Sequence, residues 1–412
     1  MKSDIDRLME AAGLDALFVR GGSEHNPAMA YFAGKAHLTQ GYLLKKRGQA
    51  PVLFHGSMER DEAAQAGLQT KDLSEYNITE LLEQTGGDLI QASVLLQRRL
   101  FEEFEVHGRV ALYGRVEVGP VYSVLRRLEQ ELDGIELVGE SESQSVLARA
   151  RATKDAEEVE RIRQMGKTTV GVVAEVATYL TSMQAKDGLL VNREGQPVTI
   201  GDIKRRINLW LAMRGGQHPE AVIFAQGRDA GVPHSTGDNV QAIAIGQPII
   251  FDIFPCEVDG GYYYDFTRTW CLGYAPEDVL RAYEDVRAAH QTAIDELRVE
   301  VPCRQVQIAV CDHFESRGHP TQRTDPKTES GYVHGLGHGV GLAVHEAPFF
   351  SHLESNQDVV LGGSVFTIEP GLYYPERGFG VRLEDTVWMR PDGQAEVLAE
   401  FPYDLVLTVP GA

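Results

Sequence analysis

Two hydrophobic periods alternate along the chain, and their order predicts its architecture. Apolar residues fall at helical spacing over 5–12, 58–66, 89–104 and 121–132, while short apolar runs at 16–19, 42–45, 52–54, 110–113 and 135–138 have the length and composition of buried strands. Helices and strands alternating in this way predict an α/β N-terminal domain, residues 1–150. Gly21-Gly22-Ser23 reads as a turn, not a phosphate cradle. A boundary follows at 148–155. Asp155, as an N-cap neighbour with acids behind it in the first turn, opens a long helix to about residue 183 and with it a second domain, 151–412. Within that domain 186–197 is polar and glycine-containing and reads as a surface loop, 199–214 is helical, and 275–297 and 304–317 are amphipathic packing helices.

The second domain departs from simple patterning where acids interrupt apolar strands. Asp252 lies between Ile249-Ile-Phe and Ile253-Phe, Glu369 follows Val365-Phe-Thr-Ile, and Glu384 follows Val381-Arg-Leu; Asp265 ends the run Gly261-Tyr-Tyr-Tyr. A carboxylate in a buried strand must be neutralised, paired or metal-bound, because an isolated buried charge costs several kcal/mol or more. Arg268 and Arg382 are the only cations near these acids in sequence, too few for four carboxylates, whereas two divalent ions balance them. Any one acid alone is better read as a surface carboxylate, and glycine-flanked His334 and His338 alone as marks of close backbone approach. Together they point to a metal site. An imidazole among carboxylates is a fairly hard ligand set, suited to Mn, Co, Fe or Zn.

Composition narrows the partners. The chain has 412 residues, 43% hydrophobic and 24% charged, long enough for two domains with cores of their own. A formal charge of -21 argues against nucleic acid or an anionic membrane as partner. The charged start, Met1-Lys-Ser-Asp-Ile-Asp, has no apolar leader core, and no stretch approaches membrane-spanning length. Cys256, Cys271, Cys303 and Cys311 form no Cys-x-x-Cys pair and read as buried free thiols. A cytoplasmic enzyme is the resulting expectation.

Four motifs then occur in one order: Asp265-x-Thr-Arg-Thr269, His334-Gly-x-Gly-His338-x-x-Gly-x-x-x-His345-Glu346, Thr367-x-Glu369-Pro-Gly371 and Arg382-x-Glu384-Asp385. In that order they resemble the superfamily of methionine aminopeptidases, prolidases, aminopeptidases P and creatinases, over nearly the whole chain. Asn26 to Gly34 and Arg151-x-x-Lys154-x-x-x-Glu158 resemble the family's N-terminal element and its entry into the catalytic domain. The resemblance implies an α+β pita-bread catalytic domain over 151–412 and a creatinase-type N-terminal domain over 1–150. It implies two divalent ions, Mn before Co or Zn, held by Asp252, Asp265, His338, Glu369 and Glu384, with Asp265 and Glu384 bridging. By the same resemblance Glu369 relays a proton, His234, His334 and His345 position substrate and stabilise the oxyanion, and Arg382 steadies Glu384 or a product carboxylate. One departure is the 13-position spacing of Asp252 and Asp265, about two more than the family pattern; an even insertion near 255–260 preserves strand facing.

The implied activity is hydrolysis of Xaa-Pro bonds by a homodimer, with free dipeptides the favoured substrate and Arg382 and Arg228 as candidate partners of the dipeptide carboxylate. The alternatives are an aminopeptidase P acting on longer peptides, a metal-dependent hydrolase or lyase of a small zwitterion, and a partner-binding pseudo-peptidase. The metal-free creatinase type and the pseudo-peptidase are disfavoured because all five ligand positions keep ligating side chains.

Overall fold

The computed structural model describes residues 4–141 and 144–412, so residues 1–3 of the charged start lie outside it. Two compact units divide the chain: Met1–Arg151 together with Asp259–Gly261, and Ala152–Val258 together with Tyr262–Ala412.

The first unit is a mixed sheet covered by helices. Its strands are β1 (Ala16–Arg20), β2 (Gly41–Lys46), β3 (Val52–His55), β4 (Gln69–Asp72), β5 (Gly108–Gly114) and β6 (Ile135–Val138), in the order β4-β3-β2-β1-β5-β6. Its helices are α1 (Ile5–Ala11), α2 (Pro27–Ala33), α3 (Arg60–Ala64), α4 (Ile78–Gln84), α5 (Leu89–Glu103), α6 (Val118–Glu131) and α7 (Val146–Arg151). Phe18, Phe54, Leu100, Phe101 and Val110 form the heart of its core. Four elements escape the periodic pattern, among them the short α7, which lies where the pattern reads as a boundary. Residues 28–33 of α2 are all buried and so show no polar face; β4 is a half-exposed edge strand; and the short α4 takes its start from the left-handed cap Asn77.

In the second unit α8 (Ala156–Thr181) begins at a capping box in which the Asp155 side chain accepts the Glu158 backbone N–H and Glu158 reaches back to the Asp155 N–H. Residues 186–197 are not simply a loop: β7 (Gln184–Lys186) and β8 (Leu189–Val191) form a hairpin, with Leu190 and Val191 buried. The polar tip and glycine mask it in the sequence. α9 (Ile200–Met213) leads to β9 (Gly216–Gln217) and β10 (Ile223–Gln226). Then come β11 (Pro248–Ile253), β12 (Cys256–Glu257), β13 (Phe266–Leu272), α10 (Glu277–Glu296) and α11 (Cys303–Ser316). The last third holds β14 (Gly337–Gly339), β15 (Glu346–Phe350), β16 (Val365–Ile368), β17 (Gly371–Tyr374), β18 (Phe379–Arg382), β19 (Asp385–Met389), β20 (Ala395–Val397) and β21 (Val406–Leu407).

Two sheets carry the second unit, β10-β11-β13-β21 and β15-β14-β16-β19-β20, with β17 and β18 as a separate ribbon. α10 and α11 bury Val286, Ala289, Val306 and Val310 with Phe366, Ile368, Val381 and Val387 from the strands. No helix among the described residues is long and apolar enough to cross a membrane.

Arg268 stitches these strands together from within. Its guanidinium donates to Asp385 Oδ1 at 2.9 Å, to the carbonyls of Thr267 and Glu384 at 3.0 and 2.9 Å, and to those of Phe401 and Pro402 at 3.0 and 3.1 Å. Arg268 and Asp385 are both buried, so removing one partner strands the other's charge in the core. Arg268→Met is expected to lower stability by about 3–5 kcal/mol. Urea unfolding measures this, and a loss within experimental error would contradict the assigned role.

Candidate metal centre

Asp252 stands opposite Thr267 across the antiparallel β11–β13 ladder. Such partners point to the same side, and Asp265, two residues before Thr267, shares that side by alternation. The additional residues between the two acids lie outside this ladder, so both carboxylates face one cavity despite their long spacing. β14 supplies His338, the end of β16 supplies Glu369, and the corner between β18 and β19 supplies Glu384. Asp265, His338 and Glu384 each bring one ligand atom within 4.8 Å of the others. His338 Nε2 lies 3.6 Å from Asp265 Oδ2 and 3.3 Å from Glu369 Oε1. All five residues line a cavity of about 620 Å³.

The glycines around His338 have a steric cause. A Cβ on Gly337 would stand 2.0 Å from the Thr367 carbonyl oxygen, so β14 lies nearer its neighbour than any side chain permits. Close approach and ligand placement coincide here: the Thr367 hydroxyl accepts the His338 backbone N–H at 3.1 Å and lies 3.3 Å from Glu369 Oε1, to which it donates.

Of the two cations near the acids in sequence, only Arg382 reaches this floor. Arg268 is wholly engaged with Asp385 and main-chain carbonyls. Arg382 donates to Asp252 Oδ2, to Thr267 Oγ1 at 3.2 Å, to Tyr373 Oη at 2.7 Å and to the Pro233 carbonyl at 3.3 Å. It therefore hydrogen-bonds Asp252 directly and is linked to Glu384 by charge and through Thr267, whose hydroxyl donates to Glu384 Oε2 at 2.6 Å. Arg228 does not line the cavity; it is exposed, 3.9 Å from Glu376.

His234, His334 and His345 also line the cavity. The His334 Nδ1–H donates to the Gly335 carbonyl at 2.7 Å, leaving Nε2 to accept from Tyr373 Oη at 2.8 Å. Both ring nitrogens are thus engaged. His345 opens onto the cavity with its ring 4.2 Å from that of His338, and desolvation together with the charge of His338 draws its pKa down. Thr267 and Tyr373 are site residues that the sequence reading did not single out. Thr267 had a signal, the two-residue spacing from Asp265; Tyr373 had none, because only the β17–β18 ribbon brings it to Arg382.

The electrostatics fit bound cations. Asp252 Oδ1 and Asp265 Oδ1 are buried and have no hydrogen-bond partner in the structure. Four carboxylates face one guanidinium, a deficit of positive charge that a divalent metal relieves. Without metal, burial and then the neighbouring carboxylates push Asp265 and Glu384 well above the usual range, and burial raises Asp252 in spite of Arg382. Burial alone would raise Glu369 too, yet the His338 hydrogen bond and charge hold it at about 2. Burial would lower His338, but Glu369 and Asp265 bring it to about 9. The His338 Nδ1–H donates to the Gly339 carbonyl at 3.1 Å, directing Nε2 into the carboxylate cluster as a ligand nitrogen must be.

The fold and this cluster define a class. Residues 160–391 match metallopeptidase family M24, and the chain belongs to that family. It is 29% identical over 262 residues to the probable dipeptidase PepE of Mycobacterium tuberculosis, covering 64% of this chain and 62% of that protein. The match thus spans less than two thirds of the mycobacterial protein. It is 24% identical over 400 residues to the Xaa-Pro dipeptidase of Pyrococcus furiosus, covering 95% of this chain and 97% of that one. Among solved structures it superposes on a dipeptidase from Pyrococcus horikoshii OT3 with a TM-score of 0.76 at 21% identity, over 98% of each chain. The fold is the pita-bread fold of the prolidases.

The titrations fix a sign. Asp252, Asp265, Glu384 and His338 have folded-state pKa values raised above their unfolded ones. In metal-free protein their stabilisation is complete below the unfolded values and is lost as pH rises through the folded ones; for His338 that loss runs from about 6.5 to about 9. Glu369 acts oppositely but only in strong acid, losing its contribution as pH falls from its ordinary value of 4.5 through about 2. The melting temperature of chelator-treated protein should therefore fall between about pH 6 and pH 9. Metal-loaded protein should show a flatter profile, since metal replaces the protons. Parallel thermal scans with and without chelator read this, and identical profiles would count against a metal site.

Proposed function

We propose that this protein is a dinuclear metal-dependent Xaa-Pro dipeptidase of the cytoplasm, acting as a homodimer, with Mn before Co or Zn as the native ion. The observation that carries the reading is the carboxylate and imidazole cluster, with its two unpartnered oxygens, on the floor of a cavity walled by three further histidines. The M24 membership and the prolidase relatives support it. The five ligands would be Asp252, Asp265, His338, Glu369 and Glu384. When bound, the two ions supply the Lewis acidity that makes a water molecule nucleophilic near neutral pH and polarises the scissile carbonyl.

The chain's own groups do the rest. Glu369, more exposed than Asp265 or Glu384 and kept ionised beside His338, takes the proton of the attacking water and hands it to the leaving nitrogen. That transfer is required because an amide nitrogen leaves as a neutral amine only once it has gained a proton. His234 and His345 offer imidazole N–H groups to the carbonyl oxygen as it gains charge. His334 orients rather than donates, because both its nitrogens are occupied.

One observation favours the aminopeptidase P alternative. Arg382 is the only Lys or Arg in the described cavity wall, and its donors are largely committed, so a free dipeptide carboxylate finds imidazoles rather than an open cation. Kinetics on Ala-Pro, Ala-Pro-Ala and a longer Ala-Pro peptide separate the two: kcat/KM falling steeply with length supports the dipeptidase, and rising with length makes this an aminopeptidase P.

Asp265→Ala or Glu384→Ala is expected to abolish turnover and lower bound metal, and His338→Ala to lose metal as well. His234→Ala and His345→Ala should retain metal while losing about 10²–10³-fold in kcat, the usual effect of removing an oxyanion donor. Elemental analysis beside steady-state kinetics checks both. Full metal content in Asp265→Ala, or full activity after chelation, would overturn the ligand assignment.

A further inference from the structure

Lys154 and Glu346 stand in two of the family-like motifs, yet neither touches the metal cluster in the roles given above. Their side chains meet at 2.7 Å between Nζ and Oε1, with only 2% and 1% exposure. They lie 192 positions apart in sequence. A buried ion pair of this kind is poor evidence for stability, since desolvation offsets much of the attraction and apolar replacements are often neutral or better. Its use is to require one geometry.

The geometry it requires adjoins the site. Glu346 opens β15 directly after His345, and the β14–β15 ladder shifts register between His338 and Gly339, so that His338 pairs with Phe349 while Gly339 pairs with Glu346. Such a bulge re-aims neighbouring side chains. The pair presses on the turn between the two strands: a Cβ on Gly341 would stand 2.2 Å from Glu346 Oε1 and 3.0 Å from Lys154 Cε. That turn is also fixed to the lead-in of Asp265, whose Tyr263 N–H donates to the Gly341 carbonyl at 2.8 Å. Lys154 is itself anchored, by its backbone N–H to the Gly363 carbonyl at 2.8 Å and by the capped start of α8 next to it.

We propose that Lys154 and Glu346 form a positioning pair that sets the β14–β15 bulge and thereby aims His345 at the substrate and His338 at the metal. Neither residue of the pair lines the cavity. The inference rests on the reading above, its kinetic part on the proposed activity and its spectral part on the proposed metal site.

The test is the double variant K154M/E346L, which removes both charges at similar volume, compared with wild type as full-length metal-loaded protein. Melting temperature, kcat and KM on Ala-Pro, and the visible absorption of the cobalt-substituted protein are measured together. The expected result is a melting temperature within a few degrees of wild type, kcat at least ten-fold lower with KM changed less than about three-fold, and an altered cobalt spectrum. Wild-type kcat with an unchanged cobalt spectrum would overturn the proposal. So would a kcat loss that merely follows a loss of folded protein. If the double variant does not fold, E346D keeps the charge but withdraws it by one methylene; it should reproduce the kcat loss and the spectral change, and wild-type behaviour from it overturns the proposal equally. Should wild type itself fail to cleave Ala-Pro, the proposed function is at fault, and the cobalt spectra still decide the positioning role.

Discussion

Four carboxylates share the floor of one cavity with a single guanidinium, and much of the second unit answers that imbalance. Arg382 cannot satisfy them alone, so it is spent on Asp252 and on the hydroxyls of Thr267 and Tyr373, which pass orientation to Glu384 and His334. Burial and the neighbouring carboxylates push Asp265 and Glu384 well above the usual carboxylate range. The site is therefore in tension with its own sequence until positive charge enters it, and two buried oxygens without partners mark where that charge is wanted.

A cluster of like charges stays in register only on a rigid frame. The candidate ligands come from strands or strand ends, not from long loops, and the frame is tightened from behind by Arg268 and in front by glycine contacts that leave no room for a side chain. Rigid elements hold a reactive constellation more closely than loops do. The cavity walls are built differently. His234 sits on the loop ahead of β11 and His345 just before β15, where a bulge instead of a continuous ladder determines direction.

This division bears on specificity. A pita-bread frame with its metal ligands fixes the kind of chemistry available, while the walls decide what is admitted. Ile223, Phe254, Phe349 and Phe350 give the cavity apolar sides, and His234, His334 and His345 add imidazoles to its wall. Its arginine is largely committed to Asp252, Thr267, Tyr373 and the Pro233 carbonyl.

The sequence by itself marked Asp252, Glu369 and Glu384 as candidates, because a carboxylate inside an apolar strand is a local contradiction visible in a few residues, while His338 and the five-residue set followed from the family resemblance of the ordered motifs. It also determined most helices and the central strands of the first unit, since burial on one face imposes a period, but few strands of the second unit beyond those that carry the acids. It did not disclose α2, whose all-round burial erases the period, or the hairpin of β7 and β8, whose polar tip imitates a loop. Only the tertiary structure decided which partner each charge takes. Arg268 and Arg382 are equally near the acids in sequence, yet one turns to Asp385 and the other to Asp252. Lys154 finds Glu346, and Tyr373 joins Arg382 to His334, through contacts no spacing announces. The physical reason is range: patterning reports whether a side chain is buried, while pairing in a dry interior depends on ångström distances between strands far apart in the chain.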